Sequence, residues 1–180
     1  MMVKIAEVAA LQKWVRVSVP NAFNDLERFH HAGLSPDGKY CFVGSCEDDY
    51  AVADVLTGKW LWTDMNIEDE AELATVLDEW VQDGWIELQV GPAQGKYRIF
   101  GLYVNFPITR AEHLGVELDL DLKEKNLHIR DIRSGEIVQT LFFEADSGDW
   151  AFASFSDDLS TIAVVEPYHV TLFRQGSNAA

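Results

Sequence analysis

Cysteine is scarce in this chain, and no stretch is apolar enough to cross a bilayer. Only Cys41 and Cys46 occur. On one extended strand they would lie roughly 16 Å apart, out of disulfide reach. Two unpaired thiols fit a reducing compartment, so a cytoplasmic protein is expected. No apolar run approaches the ~20 residues of a membrane-spanning helix, and no membrane association is expected. The segment Met1–Leu11 has no long apolar core or cleavage pattern and reads as ordered mature protein rather than a signal peptide.

Catalytic signatures are missing too. There is no Gly-x-Ser-x-Gly, no local Cys-His signature and no glycine-rich phosphate loop. Glu47-Asp-Asp49 lacks the spaced ligands of a calcium loop and reads as a solvated turn. His30 and His31 are adjacent, so they point apart, and no third ligand is evident. Cys41 lies in an apolar strand, where a thiol is buried and inert. The chain is expected to be non-enzymatic, with no cofactor and no metal. A carboxylate-based hydrolase is the enzymatic alternative, since paired acids abound.

Basic residues are absent from one long window. Between Lys59 and Lys96 there is no Lys, Arg or His, but there are nine acids: Asp64, Glu68, Asp69, Glu70, Glu72, Asp78, Glu79, Asp83 and Glu87. The window supplies −9 of a formal net charge of −16 and holds four of the six tryptophans, Trp60, Trp62, Trp80 and Trp85. A charge of −16 exceeds the magnitude of about 2–8 that solubility requires of a small domain. It repels nucleic acid and anionic lipid and steers basic partners.

What is present is enough for a core. A chain of 180 residues, 48% hydrophobic and 12% aromatic, is expected to form one domain over 1–180. Strand patterns recur: Trp14-Val-Arg-Val-Ser-Val19 alternates, and 85–90 with 96–104 reads as a hairpin around Gly91–Gly95. The 14–19 strand is placed to complete the last sheet, which otherwise stops at Phe173. Glu117, Asp119 and Asp121 alternate with leucines. With a hairpin loop at 123–126, Asp121 would face His128 and Asp119 would face Arg130 as ion pairs, a reading preferred over a metal site.

Residues 66–83 break the β pattern. Leu73, Val76, Leu77, Trp80 and Val81 form an apolar helical stripe, with Asn66 as N-cap and Gly84 just past the end. This predicts an inserted amphipathic helix at about 66–83, within an insertion at about 64–84. Its outward face would carry Glu68, Glu72, Asp78 and Glu79.

Four glycines, Gly58, Gly95, Gly135 and Gly176, sit in similar contexts at spacings of 37, 40 and 41 residues. A period near 40 belongs to four-stranded propeller blades. Val52-Ala-Asp54-Val-Leu-Thr-Gly58 parallels Ile129-Arg-Asp131-Ile-Arg-Ser-Gly135, and Leu34-Ser-Pro-Asp-Gly-Lys-Tyr40 parallels Phe155-Ser-Asp-Asp-Leu-Ser-Thr161. The stretch Leu34–Trp62 resembles a blade of the WD-repeat type of β-propeller, and 127–176 resembles one and a half more. The pattern is degenerate, with Ala53 where such blades often have tryptophan and no Gly-His pair before Ser35. The resemblance implies a mainly β fold of propeller-like blades, small or incomplete. A closed four-bladed ring, an open partial ring and a sandwich of blade-like hairpins all fit the length.

The expected function is a cytoplasmic protein-binding module. Trp62, Glu68, Glu72, Asp78, Glu79, Asp83 and Trp85 form its surface for a basic protein partner. Small acidic proteins without catalytic motifs include immunity and inhibitor proteins that neutralise a basic toxin or nuclease. A propeller-like adaptor in a larger complex is the alternative, and homo-oligomerisation is compatible with both.

Overall fold

A computed structural model describes residues 13–17, 28–45, 50–63, 83–88, 91–102 and 107–176. Among the described residues fourteen strands run in chain order: β1 Trp14–Arg16, β2 Phe29–Leu34, β3 Tyr40–Ser45, β4 Tyr50–Asp54, β5 Trp60–Thr63, β6 Trp85–Leu88, β7 Gly95–Gly101, β8 Arg110–Ala111, β9 Val116–Asp121, β10 Asn126–Asp131, β11 Ile137–Phe142, β12 Phe152–Phe155, β13 Thr161–Val165 and β14 Val170–Gln175. They form three antiparallel sheets. Sheet I is β1-β14-β13-β12, sheet II is β5-β4-β3-β2-β7-β6, and sheet III is β11-β10-β9-β8.

The mainly β reading holds, and the inserted helix needs correction. The described residues contain no α-helix, so the inserted helix at 66–83 is no part of the described fold. Residues 64–82 lie outside the described residues. Asp83 and Gly84, at the end of that window, form a turn of two positive-φ residues (54° and 83°) leading into β6.

The 40-residue period is also broken. Gly58 and Gly135 occupy equivalent left-handed turn positions, with φ 63° and 71°. Gly95 instead opens β7, after a 3₁₀ turn at Gly91–Ala93. The β6–β7 hairpin then pairs with β2 and joins sheet II rather than starting a sheet of its own. Gly176 follows β14, and its N–H donates to the Lys13 carbonyl alongside β1. Glycine was a good marker of chain reversal here, but it did not mark one kind of turn.

Sheet I is the middle layer. Ala163, Val165, Val170 and Leu172 pack with Ala32, Leu34, Cys41 and Val43 of sheet II. Ile162, Val164 and Phe173, on the other face, pack with Val116, Leu127, Ile129 and Leu141 of sheet III. Burial on both faces explains why β13 reads as the unbroken run Thr-Ile-Ala-Val-Val instead of alternating. The far face of sheet II carries a third apolar cluster, including Phe42, Tyr50, Val52, Ile86, Tyr97 and Ile99. The expected closure by the N-terminal strand is present: β1 pairs antiparallel with β14, Trp14 opposite Gln175. Its outer edge is covered by a side chain. Gln139 Oε1 accepts from the Trp14 N–H at 3.0 Å, and Gln139 Nε2 donates to the Trp14 carbonyl at 2.8 Å.

Repeated sequence gives repeated hydrogen bonding. In the turn after β2, the Ser35 hydroxyl donates to Asp37 Oδ1 (2.8 Å) and accepts from the Tyr40 N–H (3.0 Å). In the turn after β12, Ser156 does the same with Asp158 (2.7 Å) and Thr161 (3.1 Å). Gly38 and Leu159 hold the same left-handed position, with φ 64° and 62°. The two turns dock on each other across sheets I and II. The Thr161 hydroxyl donates to the Gly38 carbonyl at 2.8 Å, and the Asp158 N–H donates to the Pro36 carbonyl at 2.9 Å. A Cβ on Gly38 would lie 2.5 Å from Ser160 Oγ and 2.7 Å from Thr161 Oγ1, so close approach as well as φ demands glycine.

Candidate docking surface

Of the seven residues expected to bind a partner, two are described in full. Trp62 pairs through its backbone with Val52 in sheet II, and its side chain lies outside the described residues. Glu68, Glu72, Asp78 and Glu79 lie outside them as well, as does Trp80. Asp83 and Trp85 sit together where the chain enters β6. Asp83 is exposed, and the following Gly84 carbonyl accepts from the Ile99 N–H at 2.8 Å, tying this corner to β7.

Trp85 is half-buried and already engaged on one side. Arg98 lies opposite it in register on β7, and its guanidinium carbon stands 4.3 Å from the indole centroid. Arg98 Nη2 donates to Asp157 Oδ1 of the docked turn at 2.7 Å, and Nε donates to the same oxygen at 3.2 Å. The row Trp85–Arg98–Asp157 therefore joins sheet II to sheet I and fixes the indole plane by a cation–π contact. Sequence spacing offered no sign of this, because Arg98 and Asp157 are 59 residues apart.

Glu87 is partly neutralised by Lys96, its register partner on β7, at 3.6 Å. Trp60 is half-buried against the core shared by sheets I and II, which makes it a packing residue.

The acidic strand β9 has a different register from the one expected. The loop spans 122–125, so Asp121 pairs with Asn126, Asp119 with His128 and Glu117 with Arg130. The loop closes one residue earlier because Asp121 Oδ1 accepts from the Glu124 N–H at 3.0 Å and Lys125 takes a left-handed conformation, φ 55°. The Asp119–Arg130 ion pair still forms, diagonally, at 2.7 Å. The expected Asp121–His128 pair is not made; His128 Nδ1 instead lies 3.1 Å from Thr140 Oγ1.

The remaining candidates have structural surroundings. His31 stacks on Phe42 with ring centroids 5.8 Å apart, and burial pushes its imidazole down to about 4, with the charge of His30 adding to the effect. Cys41 is a free buried thiol pushed up to about 12 by desolvation, so it is protonated at neutral pH. Cys46 lies outside the described residues. Among the described residues, no three His, Cys, Asp or Glu are grouped as a metal ion would need. None of the described helices is long and apolar enough to cross a membrane.

One polar cluster escaped the sequence reading. His169 Nε2 lies 3.0 Å from Asp146 Oδ2, and its Nδ1 lies 3.7 Å from Glu144 Oε2. Arg16 of β1 pairs with the same Glu144. Beside them Glu166 is fully buried; its carboxylate accepts from the Tyr168 N–H at 2.8 Å and the Ser147 N–H at 3.3 Å. Desolvation raises the Glu166 carboxyl against the pull of those two donors. The cluster draws on three separate segments, so no local pattern announces it.

No protein-family model and no curated protein matches this sequence.

Proposed function

We propose that this chain is a non-enzymatic, cytoplasmic binding protein that docks a basic partner protein through the acidic segment between Lys59 and Lys96. The observation that carries the reading is that window itself: nine acids, no cation and four tryptophans. Acid concentrated in one segment accelerates encounter with a positive surface, and an indole beside it supplies the short-range anchor. Trp85 and Asp83 suit those roles, standing two residues apart where the chain enters β6, with the indole held in place by Arg98. An inhibitor or immunity protein that covers the active face of a basic toxin or nuclease is the partner relation that suits this chemistry.

The test is capture of the partner from the source cell, followed by association kinetics. One strongly basic partner is expected, with micromolar or tighter binding. The Glu68→Lys/Glu72→Lys/Glu79→Lys variant should associate at least ~10-fold more slowly at low salt, with the difference shrinking as salt rises. Equal association rates for variant and wild type would refute the docking reading. Several partners of mixed charge would instead favour an adaptor.

A further inference from the structure

Sheet III turns one face to sheet I, where Leu127, Ile129 and Leu141 enter the shared core. By alternation its other face carries Glu117, Asp119 and Asp121 of β9 and Asn126, His128 and Arg130 of β10, all polar. β11 departs from that pattern. Its residues on the polar face are Ile137, Thr140 and Phe142, opposite Arg130, His128 and Asn126. Phe142 is 68% exposed, and Ile137 and Val138 are each 46% exposed. Val138 is the extra residue of the bulge between Ile137 and Gln139.

β11 is also an edge of its sheet, and at six residues it is the longest of the edge strands. Both edges of sheet I are covered. The Gln139 amide caps β1. Ile108 caps β12: its N–H donates to Ser154 Oγ at 2.9 Å, and its carbonyl accepts from the Phe155 N–H at 2.8 Å. The free side of β11 has no such cover among the described residues. The Phe143 N–H donates to the Lys125 carbonyl at 3.2 Å, so bonding toward β10 falls on residues 143, 141 and 139. The backbone groups of Thr140 and Phe142 therefore point away from β10, and no described residue pairs with them. An unpaired apolar edge is a template for a further strand.

The pattern along β11 indicates which strand fits. The apolar pair Ile137–Val138 and the apolar Phe142 lie on either side of Thr140. A second β11, turned about a two-fold axis through Thr140, would set Phe142 of each copy beside Ile137–Val138 of the other. The outward backbone groups of Thr140 would then face their own copies. Self-complementarity of this kind is what an isologous contact requires. In that register Glu136 approaches the other copy's Glu144, a carboxylate already paired with Arg16 within its own chain.

We propose that the protein self-associates through β11, paired antiparallel about Thr140, so that the two four-stranded sheets III become one continuous sheet. The contact is smaller than a standard interface, so the dimer is weak, with a Kd on the order of 10–100 μM. Each copy carries −16, so the two repel at long range and salt strengthens the dimer. Docking of a basic partner responds to salt in the opposite sense. β11 lies in sheet III and the described ends of the acidic window in sheet II, so either contact can fail without the other.

Sedimentation velocity on the full-length protein alone, across the Kd range and at low and high salt, tests the proposal. Wild type should shift from monomer to dimer, at lower concentration when salt is high. Phe142→Ser should raise the Kd at least about tenfold and leave the urea midpoint unchanged, because the ring is lost from two contacts at an exposed position. Thr140→Cys, in a Cys46→Ser background, should form a disulfide-linked dimer under mild oxidation, since facing residues in such a pair lie about 5.5 Å apart at Cα. Phe142→Cys should not, because its counterpart is not itself. A monomer at every concentration overturns the proposal, as does a dimer that salt weakens. A Kd unchanged in Phe142→Ser overturns the β11 contact, and cross-linking as efficient at 142 as at 140 overturns the register.

Discussion

Acidification should destabilise this protein through one histidine, and the size of the effect follows from its surroundings. Part of the His31 surface reaches solvent, but Nε2 is fully enclosed and has no hydrogen-bond partner among the described residues. It is packed so closely that a Cβ on residue 44 would lie 2.5 Å from it. The ring lies against Phe42 and Tyr50, at 5.8 and 6.4 Å between centroids. Protonation would place a cation in this aromatic pocket, so the folded-state value falls from 6.5 to about 4. The sign follows directly. Between those values the unfolded chain binds the proton and the folded chain does not, so stability is complete above about pH 6.5 and is lost as pH falls toward 4. Going from about pH 7.5 to about pH 5 should remove about 2 kcal/mol through this residue, and the loss should reach about 3 kcal/mol below pH 4. Urea unfolding at both pH values, on wild type and on His31→Phe, isolates the term. The carboxylates titrate in both proteins and cancel in the difference. Phenylalanine can stack on Phe42 but cannot bind the proton, so the variant should keep the ~2 kcal/mol that wild type loses. Parallel pH dependences for the two proteins would refute the argument.

Two further outcomes test how the sheets are joined. Gly38→Ala combines a left-handed φ with a Cβ 2.5 Å from Ser160 Oγ, and should cost about 2–4 kcal/mol in urea unfolding; a cost below ~1 kcal/mol would show that the docked turns yield easily. Arg98→Met should cost about 1–2 kcal/mol and change Trp85 fluorescence, because it removes both the cation–π contact and the half-buried pair with Asp157. A double-variant cycle with Asp157→Asn should return a coupling of about 0.5–1.5 kcal/mol, and zero coupling would reduce the pair to surface decoration.

Much of the local architecture was legible in the chain. Alternation and turn residues placed β9, β10 and the β6–β7 hairpin, and the closing role of β1 followed from a last sheet that lacked an outer strand. The parallel Ser-x-Asp and Asp-x-x-x-Gly segments announced turns that do share hydrogen bonding. The β9–β10 register was missed because both loop placements keep the same residues on the same face: a shift of two changes partners without changing the alternation. The break in the 40-residue period was missed because one glycine pattern serves a left-handed turn at Gly58 and a strand start at Gly95. The expected docking surface was read from charge, neighbouring tryptophans and the spacing of an expected helix, and most of its residues fall outside those described.

Composition and local spacing by themselves determined the β class, the turn chemistry and the concentration of acid between Lys59 and Lys96, because each depends on neighbours within a few residues. Only the tertiary structure decided that the β6–β7 hairpin extends sheet II and that sheet I is buried on both faces. The same holds for Arg98, which bridges Trp85 and Asp157, and for Lys123 and Lys125, which line one groove with the Ala145–Gly148 segment. Those outcomes rest on contacts between segments far apart in the chain, where packing and desolvation choose among pairings that the local pattern leaves equivalent.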